Sequence, residues 1–584
     1  MLRILFRVID FVVVLILTIA AVGQARQSSV HSTSAIERGQ EYLKSGNLAG
    51  ARAEFEKAIR QSPTDAAAQS ALGWVLAQQG ESESAVVHLR AALKARPDLI
   101  ETQLTLASVL AQQGKVTEGV AEARAAIKRA PNNAEAHRTL ARMLSKSDAD
   151  GALVELQYAV KLAPQRADLR DDLGTLMAQR NDFSEAEKQF SEALRLQPNL
   201  ERAYFHRGVG YLDQQPERAV EDLSRAVELN AQDASAHYYL AKSYLAVSKP
   251  DDALAEFKKT AVLKPEWFEL QVELGLASQR AGDVQTAVAA FTQAAKLHPN
   301  DAEVYNDLGL ALIQTGDAES AIPSFKTAIQ LRPQDGALRG ELAIAYLQLA
   351  NFDAAIVELQ AGLKISPANA SLHYNLGLAW KMKDQLDQAV AEFQEAIRLQ
   401  PDLVDAHYTL GILYWQKGEF YKASEELQSA IQLQPDYAEA HYTLGTVFKQ
   451  QGKLADAAAQ LREAIRLQPD FAGAHTTLAG VLRQLGDSQG AADEVKEGAR
   501  IAASVNNLQA ATVSTNSGRR LMGAGDIEGA IAQFRSAIHS EPKYAAAHYQ
   551  LALALQQTGQ KDEAWKEFQR AAELDPQITI PLKE

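Results

Sequence analysis

Apolar positions recur along this chain with the spacing of an amphipathic helix, and the pattern restarts about every thirty-four residues. One cycle runs from Ala438 to Pro469. Leu444 and Phe448, then Ala457, Leu461 and Ala464, fall three or four apart, as one helix face requires. Gly452 stops the first helix, and Pro469 closes the second where no further ladder bond can form. The cycle therefore predicts an antiparallel helix pair. Its proline recurs at Pro63, Pro97, Pro131, Pro164, Pro198, Pro265, Pro299, Pro333, Pro367, Pro401 and Pro435, and again at Pro542 and Pro576. With that proline as position 32 of a unit, the first unit begins at Ser32 and the last ends near Ile578, about sixteen units in all. A fixed period of this length means an array in which each unit packs on its neighbours, so a chain of 584 residues need not divide into separate cores.

Small residues show how the pairs nest. Position 8 is Gly or Ala, from Gly39, Gly73, Ala107, Ala141 and Gly174 to Gly518 and Ala552. Position 20 is Ala at Ala51, Ala85, Ala321, Ala389, Ala423 and Ala564, with Gly119 as the substitute. Two helices must approach closely there. Together with Leu at position 7, aromatic or Leu at 11 and 24, and Pro at 32, this pattern resembles the tetratricopeptide repeat over residues 32–578. The resemblance implies an all-α, right-handed superhelical solenoid whose inner groove is lined by the first helix of each pair. It also implies a protein-binding role. The family's carboxylate clamp needs matched Lys and Asn, and only Asn306 and Asn375 are at hand, so that activity is not carried over.

The period fails in three places. The fourth and sixth units, around Ser147–Gly151 and Asp213–Pro216, are one residue short, and the sixth has Ala231 where the proline belongs. Pro469 and Pro542 are 73 residues apart, five more than two units need. With no Gly or Pro from Ile501 to Asn516, that segment predicts longer helices in preference to a hinge. The predicted organisation is an export segment at 1–25, a linker at 26–31, an array at 32–505, an insertion at 506–510, two final units at 511–578 and a tail at 579–584.

At the N-terminus, Arg3 and Arg7 precede the apolar run Phe11–Val22, with small residues at Gly23 and Ala25. This has the layout of a signal peptide, and twelve strongly apolar residues are short for a membrane span. Cleaved or kept as an anchor, it predicts export to the periplasm or cell envelope. The chain has no cysteine, which excludes disulfides, thiolate catalysis, Cys-based zinc sites and a lipobox. A net charge of −14 without a basic block argues against nucleic acid.

Catalytic signatures are missing, and no cofactor or metal is expected. Seven of the twelve histidines (His137, His237, His373, His407, His441, His475 and His548) occupy position 4, one per unit, which separates them too far to share a metal and marks packing positions. The resemblance turns positions 5, 9 and 12 of the first helices toward the groove. In units eleven to fourteen these supply Tyr374, Lys381, Tyr408, Trp415, Tyr442, Lys449 and Arg483, the candidate peptide-binding residues. Exposed aromatics interleaved with cations suit an extended peptide carrying acidic groups, unless each Tyr packs against the neighbouring unit. The expected function is a non-catalytic, exported scaffold for protein or peptide partners. The rivals are a targeting or regulatory subunit of an envelope enzyme such as a glycosyltransferase, and a self-assembling element.

Overall fold

A computed structural model describes residues 30–581 of the chain, so the export segment predicted at 1–25 lies outside the described residues. These fold into thirty-one α-helices, with no strand among the described residues. The all-α class and the helix pairs are as the periodicity predicts. Contacts divide the chain into two compact units, Met1–Pro299 and Asn300–Glu584. In each, a helix packs most closely on its partner in the pair and next on the helix that follows.

The thirteenth repeat shows how a pair closes. Its helices are Ala438–Gln450 and Leu454–Leu467. Between them Gly452 takes a φ of 74°, and the Lys453 N–H donates to the Phe448 carbonyl at 2.9 Å, satisfying a carbonyl at the helix end. The same left-handed residue recurs at position 15 of the other full-length repeats, four times without glycine: Asn181, Ser248, Ala350 and Asp384. The two short repeats lack it. Their first helices, Ala134–Leu144 and Glu201–Tyr211, end two residues early and turn without a left-handed residue. Losing one residue from the turn thus removes the residue that has to be left-handed.

The small positions are where helices touch. A Cβ on Gly411 or Gly445 would lie 2.7 Å from Leu427 or Leu461, and one on Gly309 would lie 2.5 Å from Phe325. Ala389, Ala423 and Ala457 at position 20 are fully buried. Position 8 thus admits the bulky residue of position 24 on the paired helix, and this nesting repeats along the core.

The irregular joint is one continuous helix, Ser488–Gly523, 36 residues long. It is both the second helix of one repeat and the first of the next, and it runs unbroken through 506–510. No hinge interrupts it. Among the described residues, no helix is long and apolar enough to cross a membrane.

Candidate binding face of the first helices

Each position-4 histidine fastens three pieces of chain. In His407, Nδ1 lies 2.6 Å from the Glu426 carboxylate on the paired helix, and Nε2 lies 3.1 Å from the Pro401 carbonyl that ends the preceding repeat. His548 makes the same pair of bonds to Glu567 and Pro542 at 2.5 and 3.1 Å. Both partners are acceptors, so both ring nitrogens must donate, which only the imidazolium can do. The Glu426 hydrogen bond raises the pKa of His407 against the pull of burial. For His548 burial is the largest influence and lowers the pKa, but the bonds to Glu567 and Pro542 outweigh it and the net shift is upward. His137, His237, His373 and His475 have the same two contacts, and His441 has Gln460 in place of the Glu. In other repeats Gln69, Gln271 or Arg170 donates to the equivalent carbonyl. The packing role predicted for these histidines is therefore also a polar clasp. At His237 the acceptor is Ala231, so the clasp survives loss of the proline.

Positions 5 and 12 are two turns apart, on one face of a first helix. Tyr374, Tyr408 and Tyr442 occupy position 5 of three consecutive repeats. Of the two readings the sequence left open for them, their positions match packing: all three rings are half-buried against the core. Tyr374 packs on Phe393 with ring centroids 5.5 Å apart. Tyr408 and Tyr442 pack on Tyr437 and Phe471, the last residues before the next repeat, at 4.8 and 4.7 Å. Burial raises the phenol pKa of Tyr374 and Tyr408, against a smaller lowering by Thr409 and Thr443 on the following first helix. Tyr437 is pushed up to about 12, first by burial and then by the nearby Tyr408 and Asp405. These ring partners escaped the sequence reading. Their signal was an aromatic two residues after the proline, in Pro435-Asp-Tyr437 and Pro469-Asp-Phe471.

Position 12 supplies Lys381, Trp415, Lys449 and Arg483. Trp415, Lys381 and Lys449 are half-buried, and Arg483 is exposed. Burial alone lowers the pKa of Lys381. The Lys449 ammonium lies 3.3 Å from where a Cβ on Gly480 would sit, so it reaches the next first helix. None of the three cations has a carboxylate within 4.0 Å among the described residues. Four nearby cations do, Lys383 with Asp353, Lys417 with Asp387, Lys422 with Glu419 at 2.6 Å and Arg466 with Glu463 at 2.7 Å, while Lys453 and Arg462 also have none. The predicted residues thus share one face of consecutive first helices, with tyrosines packed as a floor and cations left free.

The fourth to sixth repeats carry a different arrangement that the sequence reading did not single out. Arg138 bonds Asp172 at 2.6 Å and Asp168 at 2.7 Å, and Arg142 reaches Asp172 at 3.0 Å. Arg166 joins Glu135 to Asp168, and Arg202 bonds both Asp171 and Asp172. His206 meets Asp171 at 2.9 Å. Burial alone would raise the pKa of Asp172, but Arg138, Arg142 and Arg202 together hold it well below the usual carboxylate range. Each charge here faces an opposite charge.

Antiparallel pairs nested through small residues define the helical repeat proteins. A tetratricopeptide repeat model matches residues 36–100, 104–167, 272–336, 442–506 and 515–577, more than half of the chain, which therefore belongs to the tetratricopeptide repeat family. Further repeat models match 312–377, 381–418 and 413–452, and a model of anaphase-promoting complex subunit 3 matches 179–260. The human protein O-mannosyl-transferase TMTC3 is 26% identical over 132 residues, 22% of this chain and 14% of its own length. Human tetratricopeptide repeat protein 13 is 27% identical over 131 residues, 22% of this chain and 15% of its own. The chain thus matches only about a seventh of the length of either relative. The crystal structure of the anaphase-promoting complex hetero-tetramer Cut9–Hcn1 aligns over 90% of this chain and 97% of its own, at 15% identity and a TM-score of 0.34.

Proposed function

We propose that this protein is a non-catalytic scaffold, exported to the cell envelope on its N-terminal segment, that holds an extended carboxylate-bearing peptide along Tyr374–Arg483. Membership of the tetratricopeptide family supports protein or peptide binding. The observation that carries the finer reading is that Lys381, Lys449 and Arg483 have no carboxylate partner and occupy the same position on the first helices of nearby repeats. A half-buried ammonium without a counter-ion is costly unless something supplies one. Successive first helices lie on the order of 10 Å apart, about three residues of extended chain at ~3.3 Å each. Lys381 and Lys449, two repeats apart, therefore suit carboxylates roughly six residues apart. The half-buried rings of Tyr408, Trp415 and Tyr442 give the peptide backbone an apolar floor between them.

The test is fluorescence anisotropy with the purified chain and an acidic peptide of that spacing, beside a basic peptide of the same composition otherwise. Binding of the acidic peptide that weakens with salt and is lost in Lys381→Glu with Lys449→Glu supports the groove. Equal binding of both peptides, or none, removes it. Fractionation of cells decides export separately, and recovery of the chain in the cytoplasm would reject it.

A second reading, a targeting subunit of an envelope glycosyltransferase, draws on the similarity to a protein O-mannosyl-transferase. It predicts transferase activity that copurifies with the chain and is missing from the isolated protein.

A further inference from the structure

The first helices of the ninth and tenth repeats, Ala302–Gln314 and Gly336–Gln348, carry Asp307 and Glu341 at position 6. Both are half-buried, and neither has a cation within 4.0 Å or a hydrogen bond from another side chain among the described residues. Burial first, then the nearby Glu303 and Asp301, pushes Asp307 up to about 6, and burial alone raises Glu341. In other repeats position 6 is met from position 5 of the repeat before it. Arg138 donates to Asp172 at 2.6 Å, His206 lies 2.9 Å from Asp171, and Phe205 packs on Tyr239 with ring centroids 5.8 Å apart. For Glu341 the counterpart is Asn306, and no hydrogen bond joins the two. Asn306 Oδ1 is itself buried without a hydrogen-bond partner. Two carboxylates and an amide oxygen, all acceptors, are thus left without a donor, a costly arrangement unless one arrives.

The surroundings narrow what that donor is. Leu310 and Ile344, at position 9, come three residues after the acids on the same side of each helix, and both are half-buried. A bare metal ion gains nothing from an apolar wall. A long cationic side chain does, because its methylenes cover apolar surface while its head meets the acid. We infer that the ninth and tenth repeats bind an extended partner segment that presents Lys or Arg at every third residue, with apolar residues between. Successive first helices lie on the order of 10 Å apart. A polyproline II segment advances about 9 Å in three residues and returns to the same side, so it keeps step with the repeats. One cation then meets Asp307 and the next meets Glu341 and Asn306, while the apolar residues rest on Leu310 and Ile344. This surface includes none of the residues from Tyr374 to Arg483 and takes a ligand of opposite charge, so it stands or falls apart from the acidic-peptide groove.

The test is fluorescence anisotropy of the full-length chain with a labelled peptide of repeated Pro-Lys-Leu triplets, beside its Pro-Glu-Leu counterpart. The basic peptide should bind, weaken with salt, and lose affinity about tenfold in Asp307→Asn with Glu341→Gln. Glu319→Gln removes an exposed charge from the second helix of the ninth repeat and should leave that binding as it was. Because the two acids pair with nothing in the free chain, the double variant should melt no lower than the parent, which separates lost binding from lost fold. Equal binding of both peptides, or of neither, overturns the assignment. So do equal losses in the double variant and in Glu319→Gln, and a double variant that melts lower, which would make the acids part of the fold. A melting temperature that rises with calcium and not with the basic peptide would also overturn it, in favour of a metal ion.

Discussion

The fourth to sixth repeats and the eleventh to fourteenth are built on the same helix pair and put their first helices to opposite ends. In the first stretch, positions 2, 5, 6 and 9 hold Asp168, Arg138, Asp172 and Arg142, all joined in one ionic lattice. In the second, position 5 holds Tyr374, Tyr408 and Tyr442, packed as a floor, and position 12 holds Lys381 and Lys449, left without acids. The scaffold does not decide which of these a repeat becomes. What differs is whether the charges on neighbouring first helices find one another or wait for something else.

The largest effect should come from breaking the lattice. Arg138→Met leaves Asp172, Asp168 and Glu135 short of a cation and should cost about 3 kcal/mol. Hydrogen exchange should then show faster opening across Ala134–Gln179 than in the eleventh repeat. If protection there is unchanged, the lattice contributes no stability. Gly411→Leu tests the shared scaffold, since it forces a side chain into Leu427. It should cost about 1–3 kcal/mol in a denaturant titration, and an unchanged midpoint would mean the nesting is wrong.

The two stretches should respond to pH with opposite sign. Asp172 has a depressed folded pKa, so its contribution is present above the unfolded value of 3.8 and is lost as pH falls toward the folded one. His407 has a raised folded pKa, so its contribution is complete below the unfolded value of 6.5 and is lost as pH rises through the folded one. Exchange measured at pH 2, 6 and 8 should therefore loosen the fourth to sixth repeats at the acid end and the twelfth at the alkaline end. His407→Gln should flatten the alkaline loss only. A smaller gain, about 1 kcal/mol, is expected for Ala350→Gly, because alanine at a φ of 54° is strained where glycine is not. Lys381→Met should be smallest, within about 0.5 kcal/mol in melting, since it breaks no ion pair. It should nevertheless abolish binding of the acidic peptide. A large loss of stability on Lys381→Met would mean that the lysine serves the fold and not a ligand.

Much of the fold was legible because one period repeats its own evidence. Proline, position-8 Gly or Ala and position-20 alanine located most of the pairs, and the absence of Gly or Pro from Ile501 to Asn516 anticipated longer helices in place of a hinge, though not their fusion into one. The lattice was less visible. Arg138 and Asp172 are 34 residues apart, so a search for opposite charges one period apart could have found them. What no pattern revealed was direction. Tyr408 reads equally as a groove aromatic or a packing residue, and only its 4.8 Å contact with Tyr437 shows the ring already occupied by its own chain. The acceptors of the histidine clasp were hidden for a similar reason, since one of them is a backbone carbonyl and leaves no trace in residue identity.

That carbonyl has a mechanical consequence. Each clasp ties a repeat only to the one before it, at His373, His407, His441 and His475 in turn. Under a pull along the array these fasteners are loaded in series, and no one of them shields the next. Extension should therefore proceed as separate yielding events of single repeats, each able to re-form behind the load, so that the protein acts as a spring of discrete coils.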